Sequence, residues 1–274
     1  MKNMSANSEI ERFQREADKY ATYLETPEGR LRIDLAFANL QESLPRVAQP
    51  SHALDLGGGT GAIALRLARL GFRVTLLDAS QPMLDFARRA AQEAGVAEKI
   101  TLKLGDAGQL ATLFPLGSFD LILCHNVLEF VDHPRAVLRS AARALRGPSG
   151  MLSVLVRNQP GEVLKAALLN GDLAGAERNL TAVWGDESLY GGTVRLFTAE
   201  NLKAMLQETS FAVIAQRGVR VMSDYLPLKV SRTDEYERIF ELERKLGSRL
   251  EFAALARYVH CIAHRLGGTM EGGE

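Results

Sequence analysis

The 274-residue sequence has only two cysteines, one tryptophan and nine prolines, and it has no net charge: 33 lysines and arginines face 33 aspartates and glutamates. Two cysteines are too few for a disulfide scaffold. Cys124 and Cys261 both lie inside apolar runs and read as packed, reduced thiols. The neutral balance argues against indiscriminate binding to polyanions, because such affinity comes mostly from phosphate neutralisation; a local basic patch is still compatible with it. Long apolar runs are missing as well. No stretch approaches the roughly 20 apolar residues that span a bilayer, and Met1-Lys2-Asn3-Met4-Ser5 leads into polar sequence rather than a signal peptide's apolar core. With 46% hydrophobic residues the chain is neither disordered nor fibrous. The expectation is a cytoplasmic globular protein without a metal site, large enough to bury its own core.

Phe13, Ala17, Tyr20 and Leu24 recur at spacings of three and four, which predicts one amphipathic helix over residues 7–25. Pro27-Glu28-Gly29 breaks it, and a second apolar period through Leu31, Leu35, Leu40 and Leu44 stops at Pro45 and Pro50. Strand-like runs follow at His52–Leu56, Arg73–Leu77, Ile100–Leu104, Leu121–Cys124 and Met151–Val156. Helical segments near 61–70, 81–94, 106–113 and 133–146 separate them. This alternation predicts an α/β fold, a doubly wound, mostly parallel sheet with helices on both faces. Residues 158–195 contain glycine breaks, Trp184 and no strand period, and read as an insertion over the sheet. A helix over Thr198–Glu208 is capped by Thr198, with Asn201 where a capping box has Glu or Gln. A strand over Val213–Met222, a charged helix over Thr233–Leu246 and a strand over Tyr258–Ala263 bring the sheet to seven strands. The expected divisions are N-terminal helices over 1–48, a ligand-binding core over 49–157, the insertion over 158–197, the remainder of the sheet over 198–266 and a tail over 267–274.

The sharpest motif is Leu54-Asp55-Leu56-Gly57-Gly58-Gly59-Thr60-Gly61, a glycine turn between a strand and a helix. Glycine there permits positive φ and lets a ligand touch backbone. Gly57-x-Gly59-x-x-Ala62 also satisfies a loose dinucleotide fingerprint. Three acids at successive strand tips accompany it. Asp55 can meet a cationic amino-acid moiety, Asp78 stands where a ribose diol is bonded, and Asp106 beside Ala107 can accept from an adenine amino group. A fourth strand runs into the polar turn His125-Asn126-Val127-Leu128-Glu129. A nicotinamide reductase is the rival reading; its Tyr-x-x-x-Lys pair matches only Tyr225 and Lys229, and Pro227 between them disrupts a shared helical face.

Over residues 50–160 the sequence resembles the class I S-adenosylmethionine-dependent methyltransferases. The resemblance implies that Gly57, Gly58, Gly59 and Gly61 form the cofactor loop, that Asp78 binds ribose, that Asp106 and Ala107 bind adenine, and that His125 lies near the sulfonium. A narrower resemblance, to the bacterial tRNA carboxymethoxyuridine methyltransferases, rests on five short motifs. These are Gly29-Arg30-Leu31-Arg32, His125-x-Val-Leu-Glu129, Gly218-Val-Arg-Val221, Asp224-Tyr-Leu226 and Arg257-Tyr-Val-His260. It implies that Arg32 reaches the cofactor's carboxylate and that the acceptor is a carboxylate on a modified wobble uridine. The family's lysine-rich run is replaced here by Glu177-Arg178 and Asp186-Glu187.

A carboxylate acceptor is already ionised at pH 7 and needs no general base, only alignment and a dry site. Arg157 and Arg220 are the candidate orienting cations, with Tyr190, Tyr225 and Tyr20 as candidate hydroxyls. His260 reads as structural. Arg135, Arg139, Arg143 and Arg146 form a stripe that is either a solvated helix face or a contact for tRNA phosphates. Methylation of oxygen or nitrogen on a small metabolite, and a non-catalytic cofactor-binding subunit, are the alternatives.

Overall fold

Runs such as Leu121-Ile122-Leu123-Cys124 are apolar at every position and need cover on both faces of a sheet. In the computed structural model, which describes residues 6–44 and 51–267, they have it. Strands β1 (His52–Leu56), β2 (Arg73–Asp78), β3 (Ile100–Leu104), β4 (Leu121–His125) and β5 (Met151–Arg157) pair in parallel. The hairpin strands β6 (Trp184–Asp186) and β7 (Thr193–Arg195) form a separate small sheet, and β8 (Phe211–Val219) and β9 (Tyr258–Arg265) complete the large one. Its order is β3-β2-β1-β4-β5-β9-β8, with β9 antiparallel to both neighbours. The order reverses between β1 and β4, so a crevice opens there beyond the strands' carboxyl ends.

Helices α1 (Ala6–Arg15), α2 (Ala17–Glu25) and α3 (Pro27–Gln41) precede the sheet. Helices α4 (Ala62–Arg69), α5 (Gln81–Glu93), α6 (Leu110–Leu113) and α7 (Pro134–Ala144) lie between its parallel strands. One core layer joins Leu54, Ile122 and Leu152 to Leu138 of α7. The opposite layer joins Ala53, Leu123, Met151 and Ile262 to Phe37 and Leu40 of α3 and Leu67 of α4. Cys124 and Cys261 are buried in the first layer, and burial raises both thiols. Among the described residues no helix is long and apolar enough to cross a membrane.

The seven-stranded, mostly parallel sheet matches the sequence expectation; five local expectations need correction. The single helix over 7–25 is two helices, interrupted at Glu16 (φ −99°, ψ 12°). Pro27 starts α3 rather than merely ending α2: Thr26 caps it by accepting from the Gly29 amide at 3.1 Å, and proline suits the first turn. The insertion contains α8 (Gln159–Leu164), a π turn over Lys165–Leu169, α9 (Leu173–Asn179) and the hairpin, whose three-residue strands are too short to show a period. Helix α10 (Ala199–Glu208) has a reciprocal cap after all, because the Asn201 amide oxygen reaches back to the Thr198 N–H at 3.0 Å.

Strand β8 ends at Val219 rather than Met222. Arg220 adopts φ 60°, and the buried Glu243 carboxylate of α11 (Tyr236–Gly247) takes the amides of Val221, Met222 and Ser223 at 2.6, 2.9 and 2.7 Å. α12 (Leu250–Ala253) leads into β9. The stops at Pro45 and Pro50 and the tail from residue 268 lie outside the described residues.

Gly29 allows α3 to approach α2: a Cβ there would collide with the Tyr23 carbonyl. Gly29→Ala is expected to lower stability by about 1–3 kcal/mol, read as a denaturant midpoint. An unchanged midpoint would mean that this contact yields freely.

Candidate functional site

The glycine loop carries two kinds of glycine. Gly57 (φ 67°) and Gly59 (φ 55°) line a cavity of about 370 Å³ at the strands' carboxyl ends. A Cβ on Gly57 would stand 2.5 Å from Val127 Cγ2, whereas one on Gly59 would meet only Tyr20 Cε1, at 3.5 Å. Gly58 and Gly61 face the protein instead. A Cβ on Gly58 would strike Asp55 and Leu76 at 2.7 Å, and Gly61 (φ 80°) caps α4 against Ala87.

The acids separate in the same way. Asp78 and Asp106 line the cavity beside Ala107. Asp78 Oδ2 accepts from Gly59 N at 2.9 Å and Oδ1 from Ser80 N at 2.8 Å, so the second strand tip holds the loop in shape. Burial raises its pKa, and these amides oppose the rise. Asp106 caps a short turn through Gly108 N at 2.7 Å. Asp55 sits beneath the loop, buried and outside the cavity wall, where it cannot meet a ligand's ammonium directly. Burial and then the charge of Asp78 push it up to about 7.

Arg32 projects from α3 into the cavity wall and is 5% exposed. It donates to Asn126 Oδ1 at 3.1 Å and to Tyr20 Oη at 2.9 Å, and it lies over the rings of Tyr20, Tyr23 and Tyr258. No described carboxylate pairs with it, and its Nε has no partner. Asn126, held at φ 54°, passes the link on to Glu129 Oε1 at 2.9 Å. Glu129 also accepts from Arg157 N, but its Oε2 is buried without a partner. The cavity therefore has an unpaired cation and an unsatisfied carboxylate oxygen joined by one amide. Asn126, Glu129 and Tyr258 stood in quoted motifs but had no assigned role, since nothing local in sequence marks a long-range contact.

Arginines 157, 220 and 257 are already paired. Arg157 lines the cavity with its guanidinium on Glu187 at 2.6 Å and Glu162 at 3.8 Å. Arg220 is committed to Asp224 and to Tyr23 Oη and lies outside the cavity. Tyr225 is outside it too, donating to the Gly161 carbonyl at 3.4 Å. Arg257 pairs with Glu162 at 3.1 Å and Asp224 at 3.6 Å. Burial would raise the phenol of Tyr258, but Arg32, Arg220, Arg157 and Arg257 around it bring it below its ordinary value. Arg220 and Tyr225 thus cannot orient a ligand from where they stand, while Arg157, Tyr190 and His125 remain on the wall.

The N-terminal helices and the insertion close the cavity together. Tyr190 stacks on Tyr20 (5.6 Å) and meets Phe13 edge-on (4.9 Å). Arg12 donates to the Gly191 carbonyl and Lys19 to that of Ser188 at 3.0 Å. Outside, the arginine stripe is divided. Arg135 pairs with Glu208 at 2.7 Å, and Arg146, beyond the end of α7, pairs with Asp120 at 2.7 Å. Arg139 and Arg143 are exposed. Arg135, Arg139 and Arg195 line a shallower cavity of about 330 Å³ that shares Asp132, His133 and Ala136 with the first.

A methyltransferase-domain family model matches residues 54–154. The tRNA 5-carboxymethoxyuridine methyltransferase of Escherichia coli K12 is 31% identical over 245 residues, covering 88% of this chain and 90% of that protein. A ubiquinone biosynthesis O-methyltransferase of Xanthomonas euvesicatoria is 31% identical over 122 residues, 44% of this chain and 49% of its own. Among solved structures, an S-adenosylmethionine-dependent methyltransferase of Mesorhizobium loti superposes with a TM-score of 0.59 at 22% identity, covering 85% of this chain and all of that one. The 1,6-didemethyltoxoflavin-N1-methyltransferase of Burkholderia thailandensis, solved with S-adenosylhomocysteine, gives 0.61 at 16% identity, covering 97% and 93%.

Asp55 yields a pH prediction. Its carboxyl is raised from 3.8 to about 7 in the fold, so the folded state binds the proton more tightly than the unfolded one. That contribution is full below about pH 3.8 and is lost as pH rises through 7. Asp55→Asn should remove the loss, so the stability of the variant relative to wild type should rise by roughly 4 kcal/mol between pH 4 and pH 8. A difference that does not change with pH would contradict the raised carboxyl.

Proposed function

The chain belongs to the class I S-adenosylmethionine-dependent methyltransferases, and from that premise we propose that it esterifies a carboxylate carried by a modified wobble uridine of tRNA. The observation that carries this reading is the 31% identity to a tRNA 5-carboxymethoxyuridine methyltransferase over nine-tenths of both chains. A tRNA acceptor would put the reaction in the cytoplasm.

The wall suits S-adenosylmethionine. Gly57 and Gly59 leave bare backbone where a side chain would intrude. Arg32, with an unpartnered Nε, suits the amino-acid carboxylate, and Glu129 Oε2, rather than Asp55, is the unsatisfied acceptor for the ammonium. Asp78 suits the ribose diol, and Asp106 with Ala107 suits the adenine. When bound, the cofactor supplies an electrophilic methyl on sulfur. The protein's own work is then to hold an ionised oxygen in line and keep water out. No side chain need accept a proton. Phe13, Phe130, Tyr190 and Val194 give the cavity an apolar cover, and Arg157 and Tyr190 are the orienting groups that remain on its wall. Arg139 and Arg195, beside the mouth, are cations suited to the tRNA backbone.

Asp78→Ala should weaken S-adenosylmethionine binding at least tenfold by calorimetry, an effect of about 1.4 kcal/mol; equal affinity would remove Asp78 from the site. Release of S-adenosylhomocysteine should require tRNA bearing the carboxymethoxy group, and equal turnover on tRNA lacking it would end the ester reading. Neutralising Arg139 and Arg143 together should flatten the slope of log affinity for tRNA against log salt by about 1.5. An unchanged slope would return that helix face to solvent.

A further inference from the structure

Two residues along each strand from the core residues Leu123, Met151 and Ile262, the alternation of a sheet brings His125, Ser153 and His260 to the same face. That face is covered by α3. The three side chains are polar in an apolar layer, and they satisfy one another. His125 Nε2 lies 2.8 Å from Ser153 Oγ, and Ser153 Oγ lies 2.8 Å from His260 Nε2. His260 Nδ1 lies 3.4 Å from Asn39 Nδ2 on α3. Ser153 and His260 are fully buried and Asn39 is 5% exposed, so no water replaces these bonds. Only His125 reaches the cavity wall.

A hydroxyl has one hydrogen. Both imidazoles are neutral near pH 7, since burial holds His125 down to about 3 and His260 well below its ordinary value. Ser153 must then donate to one Nε2 and accept from the other, so the two rings carry opposite tautomers. The Asn39 amide decides which. With its Nδ2 as donor, His260 Nδ1 is bare and His260 Nε2–H donates to Ser153. Ser153 in turn donates to His125 Nε2, and the remaining proton of His125 sits on Nδ1, the ring nitrogen left to the cavity.

We propose that Asn39, His260 and Ser153 are positioning residues that lock His125 as an Nδ1–H donor, offered to a carboxylate oxygen of the acceptor. The donor's occupant rests on the ester reading above; the tautomers do not. The relay gives a buried, uncharged N–H beside Arg32, and its direction is set two strands away, where α3 meets β9 on the same face. Reversal of the amide's role would convert that donor into a bare acceptor, which would repel a carboxylate.

The test is a long-range proton–nitrogen spectrum of the ¹⁵N-labelled full chain at pH 7.5, whose five histidines are few enough to assign. Wild type should show His125 protonated at Nδ1 and His260 at Nε2. The same tautomer at both rings, or the reverse assignment, overturns the proposal without any variant. Asn39→Asp replaces the donor with a carboxylate, which can only accept, and should switch both rings together; unswitched rings would overturn it as well. In kinetics the same variant should raise the acceptor KM about tenfold or more, the worth of a hydrogen bond to a charged group. S-adenosylmethionine affinity should stay within about twofold. If the rings switch and KM does not move, His125 does not meet the acceptor. If tRNA without the acid group proves to be the substrate, the ester reading falls while the tautomer result stands by itself.

Discussion

The guanidinium of Arg32 is buried without a counter-charge, and much of the site follows from that. An unpaired buried ion is costly, by several kcal/mol before compensation. The fold compensates in part with two neutral hydrogen bonds and three aromatic faces. Asn126 supplies one of those bonds from a left-handed backbone conformation that an asparagine tolerates better than most residues. Its other end holds Glu129, which in turn fixes the Arg157 amide at the end of β5. The N-terminal helices are thereby tied to the loops after β4 and β5. In this account a ligand carboxylate completes the charge, so the cost of burying Arg32 favours binding of the ligand.

Arginines 157, 220 and 257 show the contrast. Each was as conspicuous in sequence as Arg32, and each is matched by Glu162, Glu187 or Asp224 inside the fold. The zero net charge acquires a more specific meaning from this. Several arginines are spent on internal pairs, and Arg135 and Arg146 on surface ones, so these residues add little attraction for a polyanion. That suits a partner recognised locally rather than by overall charge.

The sheet was legible because the parallel strands are short, predominantly apolar runs and many of the turns between them and the helices carry glycine, serine, aspartate or proline signals. The loop Gly57–Gly61 and the acids Asp78 and Asp106 were legible for the same local reason. Asp55 was not: a strand-tip acid can point to either side of a glycine turn, and only the packing of Gly58 against it decides. Arg220 is taken up by Asp224, four residues on, and by the distant Tyr23, and Tyr225 turns to the distant Gly161 carbonyl. Asn126, Glu129 and the relay from Asn39 to His125 depend on contacts between residues as far as 221 apart in the chain, which no spacing rule reaches. The β6–β7 hairpin was too short to have a period at all.

Arg32 is proposed to pair with the carboxylate of the cofactor. Calorimetric titration of S-adenosylmethionine and its decarboxylated analogue into wild type and Arg32→Met tests it most directly. Wild type should prefer the carboxylate-bearing form by about tenfold or more, the worth of a charge-assisted pair. The variant should lose that preference while its unliganded stability does not fall, because an unpaired buried charge has been removed. A variant that still discriminates between the two ligands would contradict the account.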